Sequence, residues 1–303
     1  MAAVAFGRYP AARRVIAHVS DTHLLEGGAP LGGVADTVAS LERTTGQLSR
    51  LGERLDAIVV TGDVTDLGEP DAYRLVRDAL EPLSATAGAE LVWVMGNHDE
   101  RAAFRAALLG EPPRDEPVHH TTMVGGLRIV AVDTSVPGYH HGELDGASLA
   151  WLDGELREAA PEGPILAMHH APIATPLALM DVLELQGQDA LADVVRDRDV
   201  RMILGGHLHY ATNGTFAGIP VSVAGATAYT MDLSAPPGEL VGIDGGRSFT
   251  LVHVYDDTIV TSVVPVGPFP VVTSFGEEFL AELAALTPEE RLERFSRKRQ
   301  PAP

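Results

Sequence analysis

Short runs rich in apolar and β-branched residues alternate with stretches of helical spacing up to residue 209. The runs are RVIAHVS (14–20), DAIVVTGD (56–63), ELVWVMGNHD (90–99), LRIVAVD (127–133), PILAMHH (164–170) and VRMILGGHLH (200–209). Between the first two, Val38, Leu41, Leu48, Leu51 and Leu55 fall at helical spacing, and EPDAYRLVRDAL continues likewise from Glu69, with Pro70 suited to a first turn. Strands alternating with helices predict an α/β fold in which helices cover the strands. After residue 210 the runs IPVSVAGATAY, FTLVHVYD and TIVTSVVPV follow without helices, the last two separated by Asp256 and Asp257 as in a hairpin. A second, more antiparallel sheet is expected from them. APPGELVGIDGG (235–246) reads as a turn-rich loop whose glycines make no nucleotide-binding fingerprint, and the polar pattern from Phe275 reads as a solvated helix with a basic tip.

Composition narrows what such a fold can do. The chain has 303 residues, 45% hydrophobic and 21% charged, enough for a sizeable core. It has no cysteine, so disulfides, thiolate nucleophiles and sulfur ligands are excluded and any metal must be held by nitrogen and oxygen. A net charge of −20 opposes broad contact with nucleic-acid phosphates. No apolar run is long enough to span a membrane. The start, MAAVAFGRYPAARR, is apolar too briefly for a secretory signal and carries its arginines in the wrong order, so a cytoplasmic protein is expected.

Five of the six runs deliver metal-ligating residue types at their carboxyl ends, the edge where open α/β sheets bind ligands. These are Asp21 and His23 in SDTH, Asp63 and Asp66 in GDVTD, Asn97, His98 and Asp99 in GNHD, His169 in MHHAP, and His207 and His209 in GGHLH. In an extended backbone His207 and His209 lean to one side. Three oxygen donors (Asp21, Asp63, Asn97) and four imidazoles (His23, His169, His207, His209) are too many for one ion. They suit two ions about 3.5–4 Å apart that share one carboxylate and activate water for in-line displacement at phosphorus.

The ordered set Asp-x-His, Gly-Asp-x-x-Asp, Gly-Asn-His-Asp, His and Gly-His-x-His resembles the calcineurin-like metallophosphoesterase superfamily. VSDTH, VWVMGNHD, DTSVPGYHHGE, GHLHYATN and GIPVSVAGAT resemble in particular the bacterial class III 3′,5′-cyclic nucleotide phosphodiesterases. The resemblance implies a four-layer αββα sandwich with two mixed β-sheets flanked by helices. It implies one ion on Asp21, His23, Asp63 and His209 and another on Asp63, Asn97, His169 and His207, bridged by Asp63. The metals would be iron and manganese, with zinc or cobalt as alternatives. It further implies hydrolysis of cAMP, and of cGMP, to 5′-monophosphates by a metal-bridging hydroxide, and a homodimer. His98 would contact the phosphate or protonate the leaving oxygen, held by Asp66; Asn97 and His140 would contact substrate. The resemblance fades after about residue 270, which divides a catalytic domain (1–270) from a C-terminal helical extension (271–303). A broader phosphodiesterase acting on 2′,3′-cyclic nucleotides, glycerophosphodiesters or aryl esters is the alternative, and a non-catalytic scaffold of the same fold a further one. His170 is expected on the opposite strand face from His169, His18 and His253 in the core, and Trp93 and Trp151 as packing anchors.

Overall fold

The computed structural model describes residues 6–298, so the first five residues of the apolar start and the end of the basic tip lie outside the described residues. Among the described residues thirteen strands form two large sheets and one small ribbon. In the first sheet β1 (Arg14–Val19) lies parallel to β2 (Ala57–Thr61), which is parallel to β3 (Glu90–Val94). The second contains β4 (His120–Val124), β5 (Leu127–Val132), β6 (Pro164–His170), β7 (Met202–Gly206), β8 (Thr212–Phe216) and β9 (Ile219–Val223), in the order β4-β5-β6-β7-β9-β8. Its four inner strands are parallel and its two edges antiparallel. The ribbon pairs β10 (Thr230–Met231) with β11 (Gly242–Ile243).

The three apolar runs read after residue 210 do not make one sheet together: β9 joins the second sheet and the other two the first. β12 (Ser248–Val254) and β13 (Ile259–Pro265) cross back to the first sheet, where β12 pairs antiparallel with β1 to give the order β13-β12-β1-β2-β3. Their hairpin turns at Asp256 and Asp257, as expected, with Tyr255 N bonded to Thr258 O. The second sheet is instead founded on β4 to β7, and the loop at 235–246 contributes β11.

The sheets pack face to face through Ile16, Val59, Val92 and Val94 on one side and Ile129, Ile165, Ala167 and Leu204 on the other. The outer face of the first sheet is covered by α1 (Thr37–Ser49) and α2 (Pro70–Ala87), which bury Leu41, Leu48, Tyr73, Val76 and Leu80 against Ala17, Val19, Ile58 and Val60. A short α3 (Arg101–Phe104) adds Phe104 to that layer. The outer face of the second carries α4 (Gly146–Arg157), α5 (Ala178–Val182) and α6 (Gln188–Val195), which contribute Leu152, Leu156, Met180, Leu191 and Val195. The result is the expected αββα sandwich. Strands such as β2 and β6, buried along their whole length, read as continuous apolar runs because both faces are covered. Trp93 is buried in the first layer, and Trp151 stacks on His119 at 4.8 Å.

The C-terminal segment is two helices rather than one, α7 (Glu277–Ala285) and α8 (Pro288–Arg291). A capping box on Thr287 and Glu290, with Pro288 in the first turn, starts a new helix there. Neither helix buries a residue, and the ring contacts of the segment include Phe275 with Phe279, Phe279 with Phe295, and the Arg291 guanidinium over Phe6. The sheet, by contrast, is closed by buried Val266, whose N–H bonds Arg247 O. We propose the domain boundary at 270 on this basis. Removing residues from Gly276 onward should leave turnover within about twofold and lower the melting temperature slightly. A normal melt with turnover reduced about tenfold or more, 1.4 kcal/mol of barrier, would show that the segment reaches the active site.

Candidate dinuclear metal centre

The motifs meet where the carboxyl ends of the two sheets face each other. The first sheet contributes Asp21 and His23 after β1, Asp63 and Asp66 after β2, and Asn97 and His98 after β3. The second contributes His169 at the end of β6 and His207 and His209 after β7. The chain turns sharply at these points: Asp21, His23, Asp63, His207 and His209 all have positive φ, between 42° and 71°. Such conformations are unusual outside glycine and concentrate where surrounding structure over-determines them. The approach of β2 to β3 depends on Gly96, where a Cβ would stand 2.2 Å from both Asp63 N and Asp63 Oδ1, and on Gly62, where one would meet His169 Nδ1 at 2.6 Å. Asp99 locks the same loops together by accepting from Gly96 N, Val64 N and Thr65 N; burial and the charge of Asp63 push its carboxyl up to about 6. It closes the Gly-Asn-His-Asp motif in the sequence, which was the signal for its role.

Two donor groups result. In one, His23 Nε2 and His209 Nε2 face each other at 3.1 Å, with Asp21 Oδ1 3.4 Å from His209 and Asp63 Oδ2 3.5 Å from His23. In the other, His169 Nε2 lies 3.2 Å from Asp63 Oδ2 and 3.1 Å from Asn97 Oδ1. The His207 ring stands 5.0 Å from the His169 ring, and its main-chain N–H donates to the Asp21 carboxylate. All of these side chains are buried except the half-buried Asn97. Three of the four far ring nitrogens are spoken for: His23 Nδ1 bonds Asp66 Oδ1, His169 Nδ1 bonds Thr61 O, and His207 Nε2 bonds Leu183 O, while His209 Nδ1 is buried without a partner among the described residues. That fixes tautomers whose remaining lone pairs point inward.

These residues fit metal ions. Two imidazole nitrogens at 3.1 Å repel unless a proton or cation lies between them. Donor separations of 3.1–3.5 Å match ligands sharing one ion at bond lengths of about 2.0–2.2 Å. Protons occupy the centre otherwise. Burial alone would lower the His169 pKa, but the charge of Asp63, its hydrogen bond and the charge of Asp21 carry it to about 9. Burial is likewise outweighed at His23, raised mainly by its bond to Asp66, and at Asp63, held well below the usual range by His169 and His23. Burial wins at His207 and His209, which are lowered, and at Asp21, which is raised. Metal uptake should therefore release protons, with affinity rising by about tenfold per pH unit for each proton displaced up to about pH 9. Calorimetric titration between pH 6 and 8 checks this, and a pH-independent affinity would refute it.

Four residues depart from the sequence reading in conformation or contact. His207 and His209 have left-handed backbone, with φ of 71° and 58°, rather than that of an extended strand, and fall in different donor groups. His170 does not face away from His169: an irregularity in the β6–β7 register between Ala167 and His170 brings its ring to 4.4 Å from that of His207. Both its nitrogens are bonded, to Thr134 Oγ1 and His140 O, so it supports the site without offering a donor. The Asp66 carboxylate orients His23, and what His98 Nδ1 bonds at 2.9 Å is the Asp66 carbonyl, the carboxylate being 3.6 Å away. His140 accepts from Asn97 Nδ2 and lies 4.8 Å from the His98 ring. His18 is buried with Nε2 on Thr61 Oγ1. Tyr229, not singled out by the sequence, packs 4.3 Å from the His209 ring.

The centre opens into a cavity of about 750 Å³ whose chemical end includes His23, Asp63, Asn97, His98 and His209. No lysine or arginine lines it among the described residues.

The profile of the calcineurin-like phosphoesterases matches residues 14–211. The chain is 52% identical over 267 residues to the cAMP/cGMP dual specificity phosphodiesterase of Mycobacterium tuberculosis, covering 88% of this chain and 84% of that one. It is 48% identical over 259 residues to a probable cyclic nucleotide phosphodiesterase of Rhodococcus erythropolis, covering 86% of each. The fold is similar to that of a purple acid phosphatase from yellow lupin seeds, with a TM-score of 0.60 and 14% identity over 85% of this chain and 53% of that one.

Proposed function

Because the chain belongs to the calcineurin-like phosphoesterase family, we propose that it is a dinuclear-metal phosphodiesterase that hydrolyses the 3′,5′-cyclic nucleotides cAMP and cGMP to 5′-monophosphates. It is a hydrolase of phosphoric diester bonds. The observation that carries the site assignment is Asp63 Oδ2, within 3.5 Å of a nitrogen in each of the two donor groups, as a shared carboxylate must be. Asp21, His23, Asp63 and His209 would hold one ion, and Asp63, Asn97, His169 and His207 the other. When bound, the ions supply Lewis acidity and the means to activate water at neutral pH. Iron and manganese are the metals proposed, in a cytoplasmic homodimer. No helix among the described residues is long and apolar enough to cross a membrane.

The chain's own residues orient and transfer. Thr61 O, Asp66 Oδ1 and Leu183 O hold three of the four ligand imidazoles, those of His169, His23 and His207, in place. Asn97, fixed by His140, presents its oxygen to the centre. His98 bonds Asp66 O through Nδ1, which leaves Nε2 to hold a proton for the leaving 3′ oxygen or to bond a phosphoryl oxygen. With no lysine or arginine on the cavity wall among the described residues, a monoester's second negative charge finds no permanent cationic side chain there beyond the ions. Initial rates of the metal-reconstituted protein on cyclic, linear and monoester phosphates test the assignment. Cyclic AMP and GMP should yield 5′-monophosphate that accumulates, with monoester kcat/KM lower by about a hundredfold or more, the scale of one unpaired charge. Absence of cyclic nucleotide turnover would refute the proposal.

A further inference from the structure

Half of the cavity lies beyond the chemistry just described, and it is apolar. Val34, on the loop between β1 and α1, is 72% exposed, and Leu179 of α5 is 47% exposed. On the ribbon side Leu240 is 45% and Ile243 of β11 41% exposed. All four line the space that also holds His98 and Asp63. Tyr229 stands at the boundary with little freedom, since its ring lies against His209 and a Cβ on Gly242 would meet it at 2.8 Å. Apart from the residues already placed at the site and Tyr229, the one polar side chain lining the cavity among the described residues is Asp244, whose carboxylate pairs with Arg247.

The phosphate of a substrate must sit at the chemical end, so whatever is esterified to it extends over these aliphatic side chains. The volume, about 750 Å³, exceeds what a phosphate requires and suits a nucleoside. A site that reads a base must place donors and acceptors along its edge, because strong discrimination comes from leaving such groups unpaired. These walls offer side-chain contact to the flat, weakly polar faces that every base possesses. Resting on the function proposed above, we propose that the apolar wall formed by Val34, Leu179, Leu240 and Ile243 is a nucleobase subsite that holds the base by apolar contact alone, so that the enzyme accepts purine and pyrimidine cyclic nucleotides alike.

The test uses the metal-reconstituted full chain and the 3′,5′-cyclic phosphates of adenosine, guanosine, cytidine and uridine. Their kcat/KM values should agree within about fivefold, the spread that unequal apolar contact produces. Val34→Ser with Ile243→Ser, both at exposed positions, should lower the ratio of kcat/KM for cyclic AMP to that for methyl 4-nitrophenyl phosphate by about tenfold or more. A preference above about a hundredfold for one base would mean that its edge is read after all. An unchanged ratio in the double variant would remove the base from this wall, and faster turnover of long-chain glycerophosphodiesters than of any nucleotide would assign the wall to an acyl chain. Each of these outcomes sinks the subsite alone, whereas failure to hydrolyse any of the four nucleotides sinks the proposed function and the subsite with it.

Discussion

Asp63→Ala is expected to yield a folded protein that retains neither metal ion after dialysis and has no measurable turnover. Asp63 Oδ2 lies between His23 Nε2 at 3.5 Å and His169 Nε2 at 3.2 Å, while Oδ1 accepts from His98 N at 2.9 Å. Deleting the carboxylate removes a donor from both groups and the one charge that both approach. Each ion contributes several kcal/mol to charge stabilisation at phosphorus, so losing both should cost about ten-thousandfold or more in kcat/KM. Asp63→Asn separates charge from shape, because the amide oxygen can still accept from His98 N. It should weaken both ions without disturbing the fold. Elemental analysis that finds two tightly held metals in Asp63→Ala would overturn Asp63 as the bridge.

His98→Ala is expected to keep both metals and lose about a hundredfold in turnover, within the range that a positioned acid supplies. His98 is attached to the site without belonging to either donor group: its main chain donates to Asp63, its Nδ1 bonds Asp66 O, and its side chain is partly open to the cavity. Deleting the imidazole therefore removes a proton carrier and leaves the ligands standing. The loss should shrink for nitrophenyl esters, whose leaving groups need little protonation. Equal losses on good and poor leaving groups would assign His98 to phosphate binding instead.

The contrast between Asp66 and His170 shows where local pattern stopped being informative. Asp66 stands three residues after Asp63 and near His98 in space, yet its carboxylate is 2.9 Å from His23 Nδ1 and 3.6 Å from His98. Sequence spacing could place it at the site but could not rank two imidazoles both within reach. His170 was misdirected by strand alternation, which fails where the β6–β7 register shifts. Nothing in MHHAP announces that irregularity, since it depends on how the neighbouring strand ends.

The sequence by itself determined the strands β1, β2, β3, β5, β6 and β7, the continuous burial of runs such as β2 and β6, the helices α1 and α2 that cover the first sheet, and the inventory of donors at the strands' carboxyl ends. These properties depend on residues a few positions apart, and side-chain period and composition record them directly. The tertiary structure decided which sheet each later strand joined, sending β12 and β13 back beside β1 where linear order suggested a sheet of their own. It also decided how the donors divide, because Asp21, His23, Asp63 and Asn97 come from one sheet and His169, His207 and His209 from the other. Their 3.1–3.5 Å separations exist only once the inter-sheet core has fixed the distance between the two edges, and once left-handed backbone at five of these residues has aimed the side chains. A linear sequence carries the identity of each donor; packing alone sets the distances between them.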